Sequence, residues 1–168
     1  MDTPAFIDVE ASGLGPRSYP IEVGLITSTG TMFCTLIVPP EEWARLDAVA
    51  WDPQAESVHG ITRSILTTYG KPLAEVAREL NRVAGGMTLF SDAWGNDYAW
   101  LARLFDAADL SMHFQVESSR KLLTEDEAAR WGAAKQEVIA ELKLTRHRAS
   151  SDAKILQRTL LRLRGGQA

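Results

Sequence analysis

The chain is poor in the residues that support several kinds of chemistry. It has one cysteine, Cys34, in 168 residues. No internal disulfide is possible, and a cysteine-based zinc site is excluded in practice. Cys34 sits in an apolar, strand-like stretch and is expected to be a buried, inert thiol. No apolar run is long enough to cross a bilayer. The opening Met-Asp-Thr-Pro-Ala-Phe lacks the basic-then-apolar layout of a signal peptide. A soluble, cytoplasmic protein is the expectation. The length suits one domain, residues 1–168 with a core over 5–163, large enough to bury a hydrophobic interior.

Net charge is −4, which argues against a protein that coats nucleic acid. The charge is unevenly spread, however. From Lys143 onward there are seven Lys or Arg against a single acid, Asp152, so the rest of the chain is strongly acidic. Acids that hold cations beside bases that attract phosphate form a combination suited to phosphodiester chemistry. The bland alternative is a solvated basic helix.

Alternating and continuous apolar runs predict strands over residues 5–9, 21–27 and 32–38, with Ser28-Thr29-Gly30 as a hairpin turn. Residues 12–19 read as a loop. Residues 40–71 are irregular with short helical pieces, in which Trp43, Leu46, Val49 and Trp51 are expected to cover an edge of the core. Pro72 opens a helix whose apolar face is Leu73, Val76, Ala77, Leu80 and Val83, stopped by Gly85-Gly86. A short strand follows at 87–91, a helix at 94–105 and a last strand at 112–116. Thr124-Glu125-Asp126-Glu127 is a capping box opening a long helix, and a closing helix covers 151–162. The order βββαβαβαα implies an α/β fold with a mixed sheet flanked by helices.

Three places carry candidate chemistry. In Phe6-Ile7-Asp8-Val9-Glu10, strand alternation points Asp8 and Glu10 to one face while Ile7 and Val9 face a core. Two adjacent carboxylates at the end of a hydrophobic strand repel each other, and a bound Mg²⁺ or Mn²⁺ offsets that cost. The alternative is a solvated face on an edge strand. Asp97 shares a helix face with Leu101 and Leu104, the side where an unpaired acid is unexpected; Asp92 is its rival and equally able to cap the helix. In His147-Arg148-Ala149-Ser150-Ser151-Asp152, Ser150 or Ser151 is expected to cap the closing helix, Asp152 falls in its first turn, and His147 lies close enough to share a site. His59, followed by Thr62 as the cap of a short helix, either holds that turn or lines a groove.

Taken together these segments resemble the DEDD exonuclease superfamily in its histidine-bearing branch, which includes ribonuclease T and oligoribonuclease. Asp8-Val9-Glu10-Ala11-Ser12-Gly13-Leu14 is close to the family's Asp-x-Glu-Thr-Thr-Gly-Leu. Ile21-Glu22-Val23-Gly24 is similar to the strand that usually follows. His59-Gly60-Ile61-Thr62 resembles a common signature, Ser91 to Leu101 supplies the middle aspartate, and His147-Arg148-Ala149-Ser150-Ser151-Asp152-Ala153 meets His-x-Ala-x-x-Asp-Ala in full. The middle motif is the loosest, since Asn96 stands where the family often has Phe.

The resemblance implies a ribonuclease H-like fold with a mixed five-stranded sheet, and a catalytic set of Asp8, Glu10, Asp97, His147 and Asp152. It implies two divalent ions, Mg²⁺ or Mn²⁺, about 4 Å apart, with Asp8 bridging, Glu10, Asp97 and Asp152 as further ligands and His147 as general base. Substrate contacts are expected from Ala11, Ser12, Gly13, Leu14, His59, Trp94, Arg148 and Lys154. The implied activity is 3′→5′ removal of nucleoside 5′-monophosphates from single-stranded nucleic acid. The small size suggests RNA as substrate and a homodimer as assembly. The alternatives are a DNA-preferring exonuclease and a catalytically inactive nucleic-acid-binding module.

Overall fold

The computed structural model describes residues 3–45 and 50–165. Five strands form one sheet in the order β3-β2-β1-β4-β5. β1 (Ala5–Ala11), β2 (Pro20–Ile26) and β3 (Met32–Leu36) make an antiparallel meander, while β4 (Thr88–Ser91) and β5 (Gln115–Ser118) add parallel to the other side of β1. The first strand of the sequence is therefore the central one, and the edge-strand alternative for Asp8 and Glu10 does not hold.

The connections are helical: α1 (Glu41–Ala44), α2 (Pro53–His59), α3 (Arg63–Tyr69) and α4 (Leu73–Ala84) precede β4, and α5 (Trp94–Ala107) joins β4 to β5. A 3₁₀ turn at Ser119–Leu122, α6 (Glu125–Leu142) and α7 (Ala149–Leu163) close the described chain. Among the described residues no helix is long and apolar enough to cross a membrane.

The period-two pattern of β1 divides the interior into two layers. Ile7 and Val9 join the larger core with Ile21, Val23, Leu25, Val76, Leu80, Leu101 and Leu104. Phe6 faces the other way, into a smaller cluster with Ile26 and the α7 residues Ala153, Leu156 and Leu160. Asp8 and Glu10 continue the Phe6 face, which places them beside the start of α7. Burying whole aliphatic side chains in both layers contributes about 1.5–3 kcal/mol each, so the carboxylates sit on a strand fixed from both sides.

Local signals behave as their chemistry requires. The capping box forms: the Glu127 N–H donates to Thr124 Oγ1 at 3.2 Å and the Thr124 N–H to Glu127 Oε2 at 2.8 Å. Thr62 caps α3 through the Ile65 N–H. Trp43 and Trp51 are buried and pack on Tyr19, with ring centroids at 5.5 and 6.3 Å; Leu46 and Val49 lie outside the described residues.

Three expectations need correction. The last strand begins at Gln115, not at residue 112. The His113 N–H donates to Asn81 Oδ1 and its carbonyl accepts from the Gly86 N–H, which ties this segment to the end of α4. Cys34 is exposed on an edge strand; its register opposite Gly24 puts it on the α7 face beside Ser150, where partial burial still pushes its thiol up. The closing helix starts at Ala149 and has no serine cap. Its first N–H is taken by a carboxylate from β2, as described below.

Candidate active site

The loop after β1, the end of β1, the first turn of α5, helix α2 and the turn before α7 surround one cleft of about 420 Å³. Asp8, Glu10, Asp97, His147 and Asp152 all line it. These residues come from three segments separated by some 140 positions, and the sheet order brings them together.

Each carboxylate is held differently. Asp97 is almost fully buried in the first turn of α5. Its Oδ2 accepts from Ser91 Oγ at 2.5 Å, at the end of β4. Burial pushes Asp97 up to about 7, with Asp92 adding and the Ser91 hydrogen bond opposing. Burial also raises Glu10 to about 7, helped by Asp152, Glu22 and Asp97. Asp8 is pushed well above the carboxylate range by burial and then by Asp97, Glu10 and Asp152; Lys135 opposes. Asp152 accepts from Arg146 Nε at 2.8 Å and from the His147 N–H at 3.1 Å. His147 itself is in the left-handed region, φ 58°, an uncommon conformation for a non-glycine residue.

A divalent cation fits this donor set. Carboxylates crowded into one cleft with raised proton affinity gain from a positive charge between them. Ligand atoms of Glu10, His147 and Asp152 lie within 4.8 Å of one another, and oxygen-rich sets suit Mg²⁺ and Mn²⁺.

The titration has a testable sign. Folded-state values near 7 for Glu10 and Asp97 stand above those of the unfolded chain. The stability they confer is present below pH about 4 and is lost as pH rises through about 7. Metal must displace protons over the same window. The rise in melting temperature on adding Mn²⁺, relative to EDTA, is therefore expected to be several-fold larger at pH 8 than at pH 5. An equal rise at both pH values would count against cation binding by these acids.

Asp92, the rival of Asp97, is drawn elsewhere: Lys135 Nζ lies 2.6 Å from its Oδ2, and it does not line the cleft. Of the expected substrate contacts, Ala11, Gly13, Leu14 and His59 line the cleft. Leu14 is 78% exposed at its mouth. His59 Nδ1 accepts from the Ile61 N–H at 3.0 Å, so the neutral ring carries its proton on Nε2, which has no partner. Holding the turn and lining the groove are both true of it.

The other four are placed differently. Ser12 is buried, its Oγ donating to the Ala50 carbonyl and accepting from the Tyr19 N–H. Trp94 donates Nε1 to the Val116 carbonyl and stacks on Tyr98. Arg148 turns to Glu22, and Lys154 lies off the cleft lining. The basic tail is also less free than its composition implies, because Arg146 pairs with Asp152, Arg162 with Glu137 and Glu141, and Arg164 with Glu127. Val58, Asp52, Asn96 and Trp100 line the cleft too; nothing in their local sequence marks them, since tertiary packing alone brings them there.

The β2 strand approaches this site at Gly24. A Cβ there would come within 2.1 Å of the Ser150 nitrogen, a backbone atom that has nowhere to retreat. Gly24→Ala is expected to cost roughly 3 kcal/mol and to lower the melting temperature by roughly 10 °C. Thermal unfolding checks this; an unchanged midpoint would mean that α7 is not seated on β2 as described.

The sheet order and flanking helices define a ribonuclease H-like fold. No protein-family model matches the chain, and no curated protein matches it in sequence. Among solved structures it is similar to exonuclease I of Escherichia coli in complex with a dA16 oligonucleotide, with a TM-score of 0.67 and 16% identity, covering 98% of this chain and 41% of that one. It is similar also to the moderately thermophilic exonuclease I of Methylocaldum szegediense, with a TM-score of 0.67 and 16% identity over 95% of this chain and 40% of that one. The chain thus spans about two-fifths of the length of these structures.

Proposed function

We propose that this domain is a metal-dependent 3′→5′ exonuclease acting on single-stranded DNA. The observation that carries the reading is the convergence of Asp8, Glu10, Asp97, His147 and Asp152 in one cleft, on a fold similar to that of exonuclease I. The RNA preference expected from chain size gives way to DNA. That choice is supported by structural neighbours crystallised with deoxyadenosine oligonucleotides.

In this reading Asp8, Glu10, Asp97 and Asp152 hold Mg²⁺ or Mn²⁺. Such ions, when bound, supply Lewis acidity at the phosphoryl oxygens and a water that ionises near neutral pH. The left-handed turn aims His147 at Glu10 and Asp152, where its imidazole takes the proton of the attacking water. Ser91 steadies Asp97 by its hydrogen bond. Leu14 and Val58, both exposed at the cleft, give apolar surface to the terminal bases. Arg146 and the His147 N–H each take one lone pair of Asp152, which leaves others for a cation.

Linear and circular single-stranded DNA of the same length test the need for a free end. The linear form is expected to yield nucleoside 5′-monophosphates while the circle survives. Nicking of the circle would point to an endonuclease of the same fold, and binding without hydrolysis of either to an inactive binding module.

A further inference from the structure

Glu22 is a fully buried carboxylate for which metal ligation and proton transfer have no use. It lies directly across from Glu10 in the β1–β2 ladder, so the two side chains project from the same face of the sheet. Burying a lone carboxylate is costly unless it is paired and hydrogen-bonded. Glu22 is both. Arg148 reaches it with Nε at 3.0 and 3.2 Å from the two oxygens and Nη2 at 2.5 Å, and the Ala149 N–H donates to Oε2 at 2.8 Å.

These contacts fall between the two site residues His147 and Asp152. Arg148 is the cap residue of α7, and its own side chain makes no cap hydrogen bond. Glu22 supplies that cap from another element, at the end where the helix dipole favours an anion. Gly24, two residues further on the same face of β2, lets the α7 backbone approach closely. The helix start is thus fastened by charge at Glu22 and by close contact at Gly24. The left-handed residue His147 lies immediately before the fastened point.

We infer that the Glu22–Arg148 pair is a positioning clamp: it locks the turn before α7, so that His147 and Asp152 keep their places opposite Glu10, and Arg148 is not a phosphate contact. The inference rests on the proposed roles of His147 and Asp152 in cleavage. A fork-shaped guanidinium with two carboxylate contacts restrains orientation in a way a lysine does not.

The test uses Glu22→Gln, which keeps an acceptor for the Ala149 N–H and frees a half-exposed arginine to solvent. Glu22→Gln/Arg148→Gln is the second variant, because Arg148→Ala alone strands a buried charge. Hydrogen exchange is measured at the amides of residues 147–150, alongside kcat and KM on single-stranded DNA at several salt concentrations. The clamp predicts at least tenfold faster exchange at these amides with β1 and α5 unchanged. It also predicts a kcat reduced at least tenfold, with KM and its salt dependence close to wild type. Glu22 is inaccessible to DNA, so an equal kcat loss in both variants is the signature. If exchange at 147–150 is unchanged, the clamp is wrong. It is equally wrong if the double variant keeps kcat but shows a raised KM and a salt slope smaller by about one, which is the behaviour of a lost phosphate contact. A wild-type protein that degrades no DNA would overturn the proposed function, and the exchange rates would still decide for or against the clamp.

Discussion

Replacing Asp8 with Asn is expected to lower the rate of DNA hydrolysis by about a thousandfold or more, while making the metal-free protein more stable at pH 8. The rate loss follows from removing the carboxylate at the centre of the acidic cleft, a change on the scale of losing a full electrostatic element of a transition state. The stability gain follows from the same burial. Asp8 is raised well above the ordinary carboxylate range by desolvation, with Asp97, Glu10 and Asp152 adding repulsion. For a group raised in the folded state, stability is present below the unfolded value and is lost as pH rises. A neutral amide of the same shape escapes that loss. Melting in EDTA at pH 8 should therefore show Asp8→Asn above wild type, with the gap closing towards pH 4. In Mn²⁺ the order should reverse, since wild type gains more from the ion. A variant that melts well below wild type in EDTA at pH 8 would mean that Asp8 is a structural acid.

Replacing His147 with Ala is expected to lower kcat by about 10²–10⁴-fold, the range for losing a positioned general base, with a much smaller change in Mn²⁺ affinity. His147 has a ligand-capable nitrogen close to Glu10 and Asp152, so the ligand role is a real competitor. The two roles separate in a calorimetric Mn²⁺ titration. A base-only histidine leaves the dissociation constant within a few-fold of wild type. A loss of affinity that tracks the loss of rate would assign His147 to the metal shell.

Much of this arrangement is legible in the sequence because it depends on short-range periodicity. Alternation along β1 separates Ile7 and Val9 from Asp8 and Glu10 without reference to any other part of the chain. Helical spacing puts Asp97 on the side of Leu101 and Leu104 and so distinguishes it from Asp92, which the fold pairs with Lys135. The capping box at Thr124 and the cap at Thr62 are local bonds, and both form. Residues that answer to distant partners were not legible. Glu22 caps a helix that begins 127 positions later, so the serines after His147 had no cap to make. Ser12 lies in a motif suited to contacting substrate, but its hydroxyl is committed to Ala50 and Tyr19. Trp94 is exposed at 42% and still turned away from the cleft by its bond to Val116. Cys34 lies in an apolar run, but its strand is the sheet edge, where the start of α7 covers it only in part. In each case the deciding neighbour is far away in the chain, and no window on the sequence contains it.

The central claim is that the five converging side chains form a metal-dependent cleavage site for single-stranded DNA. The most direct measurement follows 5′-labelled single-stranded DNA and RNA of one sequence, incubated with the protein in Mg²⁺, Mn²⁺ or EDTA beside Asp8→Asn. The account predicts a ladder shortening from the 3′ end on DNA in either metal, slower on RNA, and absent both in EDTA and in the variant. A ladder that persists in EDTA or in Asp8→Asn, or no shortening of DNA under any condition, would contradict it.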